Sequence, residues 1–416
     1  MSAEIIIMNK DGLALAADSA VTFSASGAVR KIFNTSEKLF ALSKYHPVGI
    51  LHYGRTDFMG IKWNTIIQSY RDALGEKAFD KLSDYENDFL HYLAAFPYFS
   101  ESQMLEYLDT VCHAVCSRAL SRIMDDLCSE FNNAEDIPAE KIENAITVSL
   151  RGIKERLSEK ETDKHIKLDA DFIDSHAEAV HKTFKMMFEA HSLSDEQCNE
   201  LTAILKLNFQ KKGYIDNYAG IVIAGFGERE IFPSVCEFKA SGKLGNNLIY
   251  FDRKTTQAEA YSSFILPFAQ EDVVTQFVYG VDLGLVDHII ERVSTLLSSV
   301  APSLDKADSE KKQALLDLLT EHTYEIIHSV NKSPILDIVR HMDIQEMVLM
   351  AEALINLTSL KRRVSDEAET VGGPVDVAQI TKSEGFIWVK RKTRYDPHLN
   401  AELNQNYFRR SKYGNL

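Results

Sequence analysis

The chain has 416 residues, 45% apolar and 26% charged, the proportions of an ordinary globular protein, with enough length for two or three domains. Its 61 acidic and 46 basic residues give a formal net charge of −15, which argues against bulk nucleic-acid or anionic-membrane partners, since both need cationic surface. No run approaches the ~18 apolar residues of a spanning helix, no basic-then-apolar leader opens the chain, and five cysteines, an odd number in a long chain, point to reduced thiols and a cytoplasmic setting.

The first elements form a hairpin. Glu4 to Met8 is an isoleucine-rich run that favours a strand. Asn9-Lys10-Asp11-Gly12 is a turn, with Gly12 able to take a positive φ. Leu13 to Ala17 returns and delivers Asp18 beside the first residues. With Met1 removed, Ser2 carries a free α-amine and a hydroxyl at the mouth of that hairpin, the base and nucleophile of an N-terminal nucleophile hydrolase. An ordinary edge hairpin whose acid is a turn residue fits the same stretch.

Further along, Ser19 to Gly27 is small and polar and reads as a loop. Short strands are expected at Val29–Phe33, Leu39–Ser43 and Val48–Tyr53. From about Asp57 to Lys212 the pattern turns helical, with capping-box signatures at Ser100–Gln103 and Ser194–Gln197. Strand character returns at Tyr218–Phe226, at Ser234–Ala240 before a Ser241-Gly242 turn, at Leu248–Phe251 and at Ala258–Leu266. Two to four helices follow, and Asp343 caps another that carries Met347, Val348, Ala351, Leu354 and Ile355 on one face. Gly372-Gly373-Pro374 then leads to strands Val375–Thr381 and Phe386–Val389, joined by a Glu384-Gly385 turn. A β unit of about 55 residues would not be stable alone, so the segments read as one α+β core assembled from distant pieces.

The ordered set of motifs resembles proteasome β-subunits and their bacterial relatives, the proteasome-like N-terminal nucleophile hydrolases. Those proteins open on a nucleophile, an apolar strand, a turn ending in Gly and a strand ending Ala-Ala-Asp-Ser, matched here by Ser2, Ile5 to Met8, Gly12 and Ala16-Ala17-Asp18-Ser19. The family's basic doublet matches Arg30-Lys31-Ile32-Phe33, its glycine loop matches Leu51 to Asp57, and its final helix, Gly-Gly junction and closing hairpin match residues 343–392. The resemblance implies a four-layer αββα core with large helical insertions. Residues 1–60, 216–266 and 343–392 would form that core, 61–215 a helical insertion, 267–342 a helical extension, and 393–416 a C-terminal tail.

What the resemblance implies chemically is an amide-bond hydrolase, a peptidase using Ser2. Its α-amine serves as base, since such an amine titrates near 8. Lys31 supports the nucleophile and Asp18 pairs with Lys31. The Tyr53-Gly54 loop offers oxyanion donors, and Thr22 lines the cleft. The family's supporting Ser is replaced by Val371, with Glu367 and Glu369 near its supporting Asp. Two other readings stand beside the peptidase: a catalytically silent assembly subunit and a small-amide acylase. The expected substrate is a peptide or small amide, the expected partners are copies of the chain, the existence of an unfoldase partner is left open by the sequence, and no cofactor or metal is expected. Cys112 and Cys116 fall on an apolar helical stripe and read as core. Lys390 to Arg394, with Arg409, Arg410 and Lys412, reads as a strand end and docking arm.

Overall fold

A computed structural model describes residues 2–25, 28–130, 139–189, 192–300, 306–365 and 371–392. Glu367, Glu369 and the basic residues of the tail lie outside them. The protein is mixed α+β with antiparallel sheets. Strands β1 (Ala3–Asn9) and β2 (Gly12–Ala17) form the opening hairpin, and β3 (Val21–Ala25) pairs with β4 (Ala28–Phe33) as a separate ribbon. Then come β5 (Leu39–Ala41), β6 (Val48–Gly54) and the short β7 (Asp57–Phe58) and β8 (Ile61–Lys62). Seven helices follow: α1 (Trp63–Leu74), α2 (Leu82–Ala94), α3 (Glu101–Glu130), α4 (Ala139–Glu159), α5 (Ala170–Ser175), α6 (Ala177–Met187) and α7 (Asp195–Gln210). The chain returns to strands at β9 (Ala219–Gly225), β10 (Ser234–Leu244), β11 (Asn247–Gln257) and β12 (Phe264–Ala269). After α8 (Asp272–Tyr279), α9 (Leu283–Val300) and α10 (Lys306–Ile327), a π turn (His328–Lys332) leads into α11 (Ser333–His341) and α12 (Ile344–Val364). Strands β13 (Asp376–Thr381) and β14 (Gly385–Lys390) close the described chain.

One sheet has the order β12-β1-β2-β13-β14 and the other β11-β10-β9-β6-β5. Each therefore joins the beginning of the chain to segments more than 150 residues later. Alternation along the strands explains how they stack. Ile6, Met8, Leu13 and Leu15 meet Leu51, Val222 and Ala224 in a core between the sheets. On the opposite face of the first sheet, Ile5, Ile7, Ala14 and Ala16 pack on Met347, Ala351, Leu354 and Ile355 of α12 and Val274 of α8. The second sheet turns Ile50, Ile221, Ile223 and Phe238 toward Trp63, Phe89 and Leu108 of α1, α2 and α3. Strands β1 and β2 are buried along their whole length. At about 1.5–3 kcal/mol per buried large apolar side chain, the start of the chain is among its best-anchored parts.

Two expected turns are different here. Val21–Ala25 is a strand, because Ala28–Phe33 folds back on it as a ribbon. Ser241-Gly242 is a β-bulge inside β10, and the reversal comes at Gly245, whose φ is 56°. Gly242 leaves room for the ring of Tyr107 on α3, whose hydroxyl donates to Ser241 Oγ at 2.8 Å. The Ser194 capping box and the Asp343 cap form as expected. Among the described residues no single helix is long and apolar enough to cross a membrane.

Candidate active site

The opening hairpin brings Asp18 back to Ala3 through two hydrogen bonds. Asp18 N donates to Ala3 O at 3.1 Å, and Ala3 N donates to Asp18 Oδ1 at 3.2 Å. Oδ2 accepts from Ala20 N at 3.1 Å and from Gly372 N at 3.0 Å. The Gly-Gly junction from the far end of the chain thus closes directly on this carboxylate, and Ser19 N donates in return to Gly372 O at 3.1 Å. Gly373 needs its glycine: its φ is 77°, and a Cβ there would press on Asn34.

The cation paired with Asp18 is Lys38. Its ammonium contacts Asp18 Oδ1 and lies 3.3 Å from Glu4 Oε1, with all three side chains at most 3% exposed. Lys31, expected in this position, is instead exposed on β4 with its ammonium 5.1 Å from the centre of the Phe33 ring. The reason is that β3 and β4 pair with each other as a ribbon, which leaves the residue before β5 to face Asp18. His52 N donates to Lys38 O at 2.9 Å, fixing the lysine backbone against β6. The His52 ring is buried between Phe40 and Trp63, with Nε2 3.1 Å from Glu37 O. Burial, and then the Lys38 charge, lower its pKa to about 3.

Glu4 is the second residue absent from the sequence-based set. It interrupts an otherwise apolar strand, and its side chain is fully buried. Ser2 Oγ donates to Glu4 Oε2 at 3.2 Å, and Ser2 itself is 4% exposed. Burial raises the Glu4 pKa to about 7, with Asp18 adding to the rise and Lys38 opposing it. Ser2, Glu4, Lys38 and Asp18 therefore form one contiguous buried group: a hydroxyl, two carboxyls and one ammonium. On the other edge of β1, Gln270 N donates to Ser2 O at 3.2 Å. Ala269 just before it takes φ 63°, a left-handed conformation uncommon outside glycine. Arg362 at the end of α12 holds this segment through Gln270 Oε1 at 2.7 Å and through Asp272.

Of the remaining expected residues, Tyr53 and Gly54 end β6. Tyr53 is buried in the inter-sheet core with its ring stacked on Phe268, the residue opposite Glu4 on β12. Its hydroxyl donates to Glu237 Oε1 at 2.6 Å, which ties it to β10. Gly54 takes φ 76°, and a Cβ there would meet Tyr218 O. Among the described residues, no hydrogen bond links either residue to Ser2. The Thr22 side chain lies outside the described residues, though its backbone is in β3. Val371 is fully buried and places an apolar side chain one residue before Gly372. Cys112 and Cys116 are buried in the helical core, where burial pushes the Cys116 thiol up to about 12.

In chemical terms the group offers a hydroxyl with a hydrogen-bond acceptor, an ammonium able to stabilise a developing alkoxide, and a carboxylate that orients the ammonium.

No protein-family profile matches the chain, and no curated protein matches it. Among solved structures, a mutant of Anbu from Hyphomicrobium sp. strain MC1 is similar over 100% of this chain and 98% of its own, with 9% identity and a TM-score of 0.31.

Proposed function

We propose that the protein is an N-terminal nucleophile amide-bond hydrolase of proteasome-like type, with a four-layer αββα core and Ser2 as nucleophile after removal of Met1. The observation that carries this reading is a buried chain of contacts that runs from Ser2 to Glu4, from Glu4 to Lys38 and from Lys38 to Asp18. Burying two carboxyls and an ammonium is costly without a compensating role, and such clusters concentrate at functional sites. Lys38 takes the role first expected of Lys31. Ser2 attacks the amide carbonyl, the C–N bond breaks with release of an amine, and water hydrolyses the resulting ester. The substrate class is a peptide or a small amide. The Tyr53-Gly54 turn and the backbone beside Gln270 are the candidate positions for oxyanion donors.

N-terminal sequencing combined with an electrophilic hydroxyl-directed probe tests the reading. The expected result is a chain beginning at Ser2, labelled at that residue, with labelling abolished in Ser2→Ala. A folded protein that stays unlabelled, or a Ser2→Ala variant that labels as fast, overturns it.

A second reading, assembly with copies of itself, is favoured by the outer face of α12. Leu349, Leu357, Leu360 and Val364 repeat there at helical spacing and are 40% to 75% exposed. It is compatible with catalysis.

A further inference from the structure

Resting on the reading of Ser2 as nucleophile, we propose that Glu4 is a catalytic residue of this site, the group that accepts the Ser2 hydroxyl proton in place of the α-amine. Three observations lead to this. The hydroxyl already donates to Glu4 Oε2 at 3.2 Å, within reach for direct proton transfer once attack begins. Glu4 is fully buried, with its two oxygens turned to the Ser2 hydroxyl and the Lys38 ammonium. The third observation is the charge count: Glu4 and Asp18 share a single ammonium, that of Lys38. The α-amine released by loss of Met1 lies on the same residue as the hydroxyl and so enters a buried site with surplus negative charge. That surroundings hold an amine protonated. A protonated amine cannot take the hydroxyl proton, whereas Glu4 can.

Burial raises the Glu4 pKa, Lys38 opposes that rise and Asp18 adds to it, and a protonated α-amine beside it favours the ionised carboxylate that a base needs. The charged groups around Glu4 are Lys38 ahead of β5 and Asp18 after β2. His52 on β6 faces the same lysine, and β12 offers Phe268 opposite Glu4, then Gln270 held by Arg362, with Glu271 next in the chain.

The steps balance. The Ser2 Oγ–H proton passes to Glu4 Oε2 as the Oγ–C bond forms and the carbonyl oxygen takes the negative charge. The same proton passes from Glu4 to the leaving nitrogen as the C–N bond breaks. Glu4 then takes a proton from the hydrolytic water as it attacks the ester, and returns it to Ser2 Oγ.

The test is the rate of Ser2 labelling by a hydroxyl-directed electrophile from pH 5 to 9, in the wild type, Glu4→Gln and Glu4→Asp. With Glu4 as base, the wild-type rate rises with pH as Glu4 loses its proton. Glu4→Gln loses about a hundredfold or more together with that rise. Glu4→Asp, whose carboxylate is one methylene short of the hydroxyl, falls at least tenfold but keeps the pH dependence. If the amine is the base, Glu4→Gln removes charge that held it protonated, so labelling holds or quickens at neutral pH, and Glu4→Asp is unchanged. Either of these last outcomes overturns the role of Glu4 while leaving Ser2 the nucleophile. A folded wild type unlabelled across the range overturns both.

Discussion

At the scale of single residues, Lys38 is the ammonium shared by two buried carboxyl groups, all three side chains being at most 3% exposed. Lys38→Met is therefore expected to cost about 3–5 kcal/mol, the range for leaving a buried charge unpaired, and to abolish Ser2 labelling. Lys31→Met, on an exposed strand, should stay within about 0.5 kcal/mol of wild type. Urea unfolding of the two variants side by side checks the contrast, and equal stabilities would remove Lys38 from the site. The two lysines also mark the limit of what the sequence discloses. Lys31-Ile32-Phe33 and Lys38-Leu39-Phe40 present the same lysine, aliphatic and phenylalanine pattern seven residues apart. Choosing between them needs knowledge that β3 and β4 pair as a ribbon of their own, a tertiary fact. Glu4 was legible in principle, as a lone charge in a run of buried isoleucines, since such a charge is rarely tolerated without a partner. Asp18 and the Gly372 junction needed only local pattern and order: the Asp18 carboxylate accepts from Ala3 N and from Gly372 N.

At the scale of elements, the strands were readable because period-2 burial and turn residues agree locally, and β1, β2, β6 and β9 fall within a residue or two of their expected positions. Two of the exceptions share a cause, since β3 and the continuation of β10 depend on a partner rather than on composition, while β11 runs on to Gln257 and β12 begins only at Phe264. Gly220 on β9 shows how such partnerships bear on the site. A Cβ at this position would overlap the ring of Tyr53 on the neighbouring β6. Gly220→Ala is expected to push that ring off Phe268 and weaken its bond to Glu237. The cost should be about 1–3 kcal/mol, as for other overpacked cores, and it should appear as a lowered melting temperature. An unchanged melting temperature would mean that the two strands yield without strain.

At the scale of the whole molecule, helices α8 to α12 leave a sequence of apolar side chains outside: Leu285 and Ile289 on α9, Leu315 and Ile326 on α10, Leu349, Leu360 and Val364 on α12. Scattered apolar residues are normal on a surface, but repeats along helix faces mark contact surfaces. With self-association as the expected role of α12, sedimentation velocity should give a mass above the 47.0 kDa of one chain. The double change Leu360→Glu and Val364→Glu should return it toward that value without unfolding the core. A monomeric wild type at tens of micromolar would dismiss the assembly reading.

The way the chain closes also sets a clock. Ser2 ends 4% exposed, and the last strand that shuts the site, β13, begins 374 positions later, at Asp376. At roughly 5–20 residues per second, the ribosome takes about 20 to 75 seconds to reach it. On the proposed reading of Ser2 as nucleophile, an aminopeptidase has that interval in which to remove Met1 before the site closes. The Gly372 amide that completes the Asp18 carboxylate comes from 354 positions further along the chain.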